Sequence, residues 1–85
     1  MVKNYKLLFS KQAKKDIEKL TPKLRKKAKE LCRLLSVNPF VGKPLMADLK
    51  GFYSVHLTYK DRIVYSINKD EVLIYILRIK THYGD

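Results

Sequence analysis

The spacing of hydrophobic positions predicts a strand followed by two helices in the first half of the chain. Apolar and polar side chains alternate in "KNYKLLF" (residues 3–9), which predicts a short strand. Apolar side chains then recur every three or four residues, which predicts a helix over 11–20 with Ser10 as its N-cap. Thr21 caps a second predicted helix, 22–36, whose first residue is a proline. The two helices are expected to form a hairpin.

In the second half the period changes to that of strands. The segment "VNPFVGKP" (37–44) contains two prolines and a glycine, which predicts a loop. Three alternating segments follow, at 51–59, 62–68 and 72–80, separated by short polar turns. The last of them begins with the almost continuous apolar run "VLIYIL", which predicts a central strand covered on both faces.

The predicted order β-α-α-β-β-β belongs to the α+β class. The simplest packing is a two-layer structure, in which the helical hairpin lies on one face of an antiparallel or mixed sheet of about four strands. The first strand is expected at an edge or beside the last strand, and the other face of the sheet is expected to stay partly open. A length of 85 residues predicts a single domain, 1–85.

The charge of the chain favours a polyanionic partner. Lys and Arg number 19 against 8 Asp and Glu, which gives a formal net charge of +11. Residues 1–30 carry eleven of the basic residues and only three acidic ones. A basic helical stripe is typical of nucleic-acid binding, but it is equally typical of a solvated helix face. An acidic protein partner is a third interpretation.

Several classes of protein are disfavoured by what the sequence does not contain. It has no glycine-rich nucleotide loop, no Cys/His metal spacing and no paired carboxylates, which predicts neither metal nor cofactor. Cys32 is the only cysteine, so an intrachain disulfide is excluded and a reducing compartment is favoured. No apolar run approaches a membrane span or a signal-peptide core, so we expect a cytoplasmic protein without a membrane partner.

The remaining polar candidates are cations and neutral proton carriers near strand ends. Such groups suit metal-free cleavage of RNA, in which a base activates the 2′-hydroxyl, cations stabilise the phosphorane and an acid protonates the leaving 5′-oxygen. Each candidate taken singly also has an ordinary structural explanation, such as a sheet histidine, a turn ion pair or a chain end. The candidates are Lys43, Lys50, His56, Arg62, Arg78, Lys80, His82 and Tyr83.

Taken in order, these residues resemble a known family. The stretches "PFVGKPLMADLKGFYS" (39–54) and "LKGFYSVHLTYKDRIVYSINKDEVLIYILR" (49–78), with a His-Tyr pair near the end, resemble the RelE/ParE superfamily of toxins, especially its YoeB/Txe-like branch. The resemblance implies a microbial-RNase-type fold and a type II toxin that cuts mRNA in the A site of the 30S ribosomal subunit. It also implies neutralisation by a cognate acidic antitoxin.

The resemblance assigns roles by position. Arg62 matches the phosphate-binding arginine, His82 the catalytic histidine and Tyr83 the terminal tyrosine of the YoeB-like branch. His56 and Ser54 stand where RelE-like members carry strand lysines, so this part of the site is altered.

The general base is left open by the sequence. YoeB-like members have a glutamate shortly after Gly-Lys-Pro, where this chain reads "LMAD". Either Asp48 substitutes for that glutamate or His56 takes its role. Lys43 and Lys50 are expected to assist Arg62 at the phosphorane, and Tyr83 either assists His82 or stacks on a base. The residues expected to bind RNA are Lys43, Lys50, Ser54, Arg78 and Lys80.

Two other functions are compatible with the same sequence. One is a ParE-like toxin that inhibits DNA gyrase, and the other is a basic RNA-binding module without catalysis. Arg62 and the His82-Tyr83 pair favour the nuclease over the gyrase-inhibiting toxin.

Overall fold

The computed structural model describes residues 4–80, which fold into two α-helices and a five-stranded sheet. In chain order the elements are β1 (Lys6–Phe9), α1 (Lys11–Lys19), α2 (Pro22–Val37), β2 (Lys43–Pro44), β3 (Phe52–His56), β4 (Arg62–Asn68) and β5 (Leu73–Lys80). Two single-turn 3₁₀ helices, Pro39–Val41 and Ala47–Leu49, lie on either side of β2. In this part of the chain no helix has the length and apolar character needed to span a membrane.

Both predicted helix caps are present. The Ser10 hydroxyl accepts a hydrogen bond of 2.9 Å from the Ala13 N–H, and the Thr21 hydroxyl accepts one of 3.3 Å from the Leu24 N–H. Each cap satisfies a backbone donor that has no partner within its own helix. The two cap residues therefore set where α1 and α2 begin.

The sheet has the order β1-β5-β4-β3-β2, with β1 parallel to β5 and the other pairs antiparallel. This confirms the predicted two-layer arrangement, with the first strand at an edge and beside the last. The sheet has one strand more than expected, because Lys43 and Pro44 pair with Ser54 and Tyr53 inside the segment 37–44 that was predicted to be a loop. A proline is tolerated there because an edge strand does not need every N–H for pairing.

The prediction that the last strand is covered on both faces is wrong. Ile74, Ile76 and Ile79 of β5 are buried, but Tyr75 is 38% exposed. Alternation is regular over 73–76, so Ile74 and Ile76 face the core while Leu73 and Tyr75 lie on the other face. A β-bulge follows, since Val64 pairs with Arg78 whereas Tyr65 pairs with Ile76, which leaves Leu77 as the extra residue on β5. The run looks continuous because both faces of this segment carry apolar side chains, although only one of the two faces is fully buried.

Tyr65 ties the segment before β2 to the centre of the sheet. Its side chain is fully buried, and its hydroxyl donates to the Pro39 carbonyl at 2.7 Å and accepts from the Gly42 N–H at 3.2 Å. Burial raises the pKa of Tyr65, and the hydrogen bond from Gly42 opposes part of that rise. The Tyr65 ring also stacks on Tyr53 at 5.7 Å between centroids. These contacts fix the position of β2, which follows Gly42 directly.

We expect Gly42→Ala to lower the free energy of unfolding by about 3 kcal/mol, because a methyl group there overpacks the core and disturbs a buried hydrogen bond. A Cβ at position 42 would lie 2.7 Å from the Ser54 carbonyl oxygen and still closer to the Tyr65 hydroxyl. Urea unfolding measures the loss, and Tyr65→Phe, which removes only the hydroxyl, should lose less. A Gly42→Ala protein as stable as wild type would show that position 42 has room for a methyl group.

Candidate active site

Three predicted site residues lie in one row on the face of the sheet opposite the helices, which we call the open face. His56 on β3 pairs with Arg62 on β4, and Arg62 pairs with Lys80 on β5. Directly paired residues on neighbouring strands project from the same face. We call His56, Arg62 and Lys80 the first row. It combines the basic side chains of an arginine and a lysine with an imidazole that can accept or donate a proton.

A second row lies next to the first, two residues further along each strand or about 7 Å away. It contains Lys43, Ser54, Val64 and Arg78, which pair successively across β2, β3, β4 and β5. Lys43 and Arg78 stand at its two ends, with the small Ser54 and the buried Val64 between them. The structure therefore brings six predicted residues into two adjacent rows, five of which carry a cation or an imidazole.

The turn between β3 and β4 holds His56 and Arg62 opposite each other. The Thr58 hydroxyl donates to the Asp61 carboxylate at 2.8 Å and accepts from the Asp61 N–H at 3.0 Å. Asp61 is only 6% exposed, and its carbonyl accepts hydrogen bonds from the Leu57 and Thr58 N–H groups. Such side-chain-to-backbone bonds are typical of Ser/Thr and Asp turns. The sequence "TYKD" carried this signal, although the site prediction did not use it.

At the unpaired edge where β3 ends, His56 is also among the residues that line a cleft of about 260 Å³ against helix α2. Its side chain is exposed, because β2 pairs only with the first half of β3 and leaves the end of that strand without a neighbour. The imidazole is thus accessible at the end of the first row. The cleft is lined by Lys27, Glu30, Leu31, Leu34, His56 and Leu57.

Asp48 and Lys50 are not in register with Arg62. Both lie on the connection 45–51, which joins β3 at Phe52, the end of the strand opposite His56. Four residues of β3, or about 13 Å, separate Phe52 from the first row. Of the two candidate bases left open by the sequence, the structure aligns His56 with Arg62 and leaves Asp48 in neither row.

His82 and Tyr83 lie outside the described residues, so their predicted roles stay predictions. Strand β5 is described as far as Lys80, which pairs with Arg62, and His82 follows two residues later in the sequence.

Asp16 is a polar residue at the site's edge that the sequence interpretation missed. It is 8% exposed, accepts a 2.9 Å hydrogen bond from the Ile79 N–H and lies 3.5 Å from the Arg78 Nε atom. The sequence spacing could have identified it, because Asp16 is three residues after Ala13 and four before Leu20 and so lies on the apolar side of α1. A carboxylate on that side needs a buried partner, and the end of β5 supplies one.

Thiol and metal chemistry have no support in the described part of the chain. Burial raises the pKa of Cys32 to about 11, so its thiol is protonated and unreactive at neutral pH. Among residues 4–80, no three His, Cys, Asp or Glu side chains lie close enough to hold a metal ion.

Comparison with known proteins gives consistent similarities along nearly the whole chain. The family described as the ParE toxin of the type II toxin-antitoxin system, parDE, matches residues 7–84. The toxin YoeB of Escherichia coli K12 is 33% identical over 85 residues, which cover 92% of this chain and 99% of that protein.

Two solved structures are similar in both fold and sequence. One belongs to the toxin-antitoxin complex RelBE2 of Mycobacterium tuberculosis, with a TM-score of 0.86 and 32% identity over 96% of this chain and 94% of that one. The other belongs to the YoeB-YefM complex of Staphylococcus aureus, with a TM-score of 0.78 and 28% identity over 93% and 98% of the two chains.

Proposed function

This chain belongs to the ParE toxin family of type II toxin-antitoxin systems, with YoeB and RelE toxins among its relatives, and we propose that it is a ribosome-dependent mRNA endoribonuclease. It cuts in the A site of the 30S subunit, without a metal or cofactor. The observation that carries the proposal is the register of His56, Arg62 and Lys80, which aligns a proton carrier and two cations on the open face of the sheet.

In the proposed mechanism the substrate supplies its own nucleophile. His56 accepts the proton of the RNA 2′-hydroxyl, whose oxygen attacks the adjacent phosphorus. The guanidinium of Arg62 stabilises the negative charge that develops on the phosphorane oxygens. His82, assisted by Tyr83, donates a proton to the departing 5′-oxygen. The products are a 2′,3′-cyclic phosphate and a 5′-hydroxyl.

The cations around the first row bind the RNA on either side of the cut. Lys80 lies in the first row, and Lys43 and Arg78 stand at the ends of the second row. Because the rows are about 7 Å apart, these side chains can contact successive phosphates of one extended strand. Ser54 lies between the ends of the second row and can bind a sugar or phosphate oxygen. Lys50 stays a weaker candidate, because it lies with Asp48 beyond the far end of β3.

A cognate antitoxin is the proposed protein partner. Solved relatives from Mycobacterium tuberculosis and Staphylococcus aureus are described as toxin-antitoxin complexes. The net charge of +11 attracts an acidic antitoxin segment as well as ribosomal RNA. A protein that acts on ribosomes and is held by an antitoxin belongs in the cytoplasm.

The gyrase-inhibiting alternative has one observation in its favour, namely that the matching family is named for parDE. A gyrase inhibitor is not expected to cut RNA. A non-catalytic RNA-binding module is expected to bind RNA without cutting it. Cutting of ribosome-bound mRNA after addition of the purified chain therefore separates the proposal from both alternatives.

A defined mRNA on reconstituted ribosomes with an empty A site tests the proposal. We expect one cut that leaves a 5′-hydroxyl and a 2′,3′-cyclic phosphate. A single 2′-deoxynucleotide on the 5′ side of the cut should abolish it, because the nucleophile is then missing, while the same change one codon away should have no effect. Products with 5′-phosphate ends, or cutting that survives the 2′-deoxy change, would contradict the mechanism.

A further inference from the structure

The N-cap of α1 and one side chain of that helix take the place of a missing strand along the end of β5. Strand β1 ends at Phe9, whose partner is Ile76, so β1 does not extend along the rest of β5. Beyond that point the Ser10 N–H donates to the Ile76 carbonyl at 3.0 Å, and the Ser10 hydroxyl donates to the Leu77 carbonyl at 2.6 Å. The Asp16 carboxylate then accepts the Ile79 N–H at 2.9 Å. This edge of β5 is thus bonded to a helix cap and a carboxylate.

The same region contains the bulge that turns Arg78 onto the open face. Simple alternation from the buried Ile76 would direct residue 78 toward the core. The extra residue, Leu77, instead gives Ile79 the core position and places Arg78 opposite Val64 in the second row. Ser10 and Asp16 form hydrogen bonds to the backbone on either side of Arg78. Ser10 bonds to the Leu77 carbonyl and Asp16 to the Ile79 N–H.

Asp16 also contacts the Arg78 side chain directly. The same carboxylate oxygen that accepts the Ile79 N–H lies 3.5 Å from the Arg78 Nε, while the other oxygen accepts from the Gln12 amide at 2.9 Å. At 3.5 Å the contact is an ion pair more than a good hydrogen bond. It engages Nε, and the guanidinium has four further N–H donors on its Nη atoms. The Arg78 side chain is 46% exposed, so solvent and ligands reach it.

We propose that Asp16 is a positioning residue, which holds the bulged end of β5 and the Arg78 guanidinium so that Arg78 binds the RNA phosphate next to the one bound by Arg62. The inference rests on the proposed RNA cleavage and adds a residue to it. A free arginine side chain samples many rotamers, and holding its Nε lowers the entropy lost when the Nη donors bind a phosphate. Because Lys80 follows in the same strand, Asp16 also stabilises the β5 end of the first row.

Asp16→Asn tests this role with little change of shape. The amide oxygen can still accept the Ile79 N–H, and the Gln12 amide can rotate to accept from the new NH₂ group. Only the charge that holds Arg78 is lost. We expect the single-turnover rate of cutting on programmed ribosomes to fall about tenfold, because small misplacements of a phosphate-binding group slow such reactions strongly. Asp70→Asn, which removes an exposed charge before β5, should leave the rate unchanged.

A double-mutant cycle with Arg78→Met separates positioning from simple stability. If Asp16 acts through Arg78, Asp16→Asn should have almost no effect in a protein that already carries Arg78→Met. An equal tenfold loss in both backgrounds, or a wild-type rate for Asp16→Asn alone, would overturn the positioning role while wild-type cutting upholds the proposed function. If wild type makes no cut, the proposed function fails and the positioning role fails with it.

Discussion

Arg62→Ala is expected to cut mRNA about a hundred- to a thousandfold more slowly than wild type, since it removes the guanidinium that stabilises the phosphorane. Arg62 pairs with His56 on one side and Lys80 on the other, so it lies at the centre of the first row. The rate is measured in single turnovers on programmed ribosomes, where product release does not interfere. Arg62→Lys keeps the charge without the planar fork of donors and should fall between the two.

Arg33→Ala provides the matched control for Arg62→Ala. Arg33 is exposed on α2, on the other layer of the protein, so its loss changes the net charge by the same amount outside the proposed site. If the two alanine variants lose the same activity, the effect of Arg62 comes from total charge alone. An Arg62→Ala rate within about threefold of wild type would remove Arg62 from the mechanism, since one lost transition-state donor costs far more.

His82→Ala should lose about 10²–10⁴-fold in rate, which is the usual contribution of a general acid or base. The leaving 5′-oxygen is a poor leaving group without a proton, so the acid matters most at the step that breaks the P–O bond. An RNA with sulfur in place of that 5′-oxygen needs little protonation, and it should restore most of the rate of the His82→Ala variant.

The sulfur substrate distinguishes an acid from a residue that only binds. His56→Ala should not be rescued by it, because a base acts on the 2′-hydroxyl and not on the leaving group. Tyr83→Phe should show a smaller loss than His82→Ala if the tyrosine assists the acid. A His82→Ala variant that stays slow on the sulfur substrate would exclude His82 as the acid.

Local patterns predicted most of the fold because the helices and strands obey simple periods. Ser10 and Thr21 are capping residues before amphipathic segments, and both cap their helices in the structure. Strand β2 was missed because a two-residue strand has no period, and its stability comes from pairing with β3 and from the Tyr65 hydroxyl behind Gly42. These contacts span 9 to 23 residues, so no local pattern reveals them.

The candidate site also combines features that local sequence patterns predict with features that depend on long-range strand pairing. The opposition of His56 and Arg62 follows from two strands joined by a tight turn, and the sequence predicted both the strands and the turn. The choice between His56 and Asp48 was left open by the sequence, and the register of β3, which favours His56, comes from strand pairing that no local pattern reveals. Arg78 was predicted as an RNA-binding cation, but its ion pair with Asp16 was not. That ion pair depends on a bulge and joins residues 62 apart in the sequence, so it forms only in the assembled sheet.

Mapping RNA 5′ ends after induction of the chain in cells tests the central claim most directly. Wild type, Arg62→Ala and His82→Ala are induced to equal levels, and the 5′-hydroxyl ends of total RNA are sequenced. The account predicts new ends inside translated reading frames, at a fixed position within codons, for wild type only, together with growth arrest that both variants relieve. Growth arrest without such ends, or arrest that persists in both variants, would contradict it and would favour a target other than mRNA.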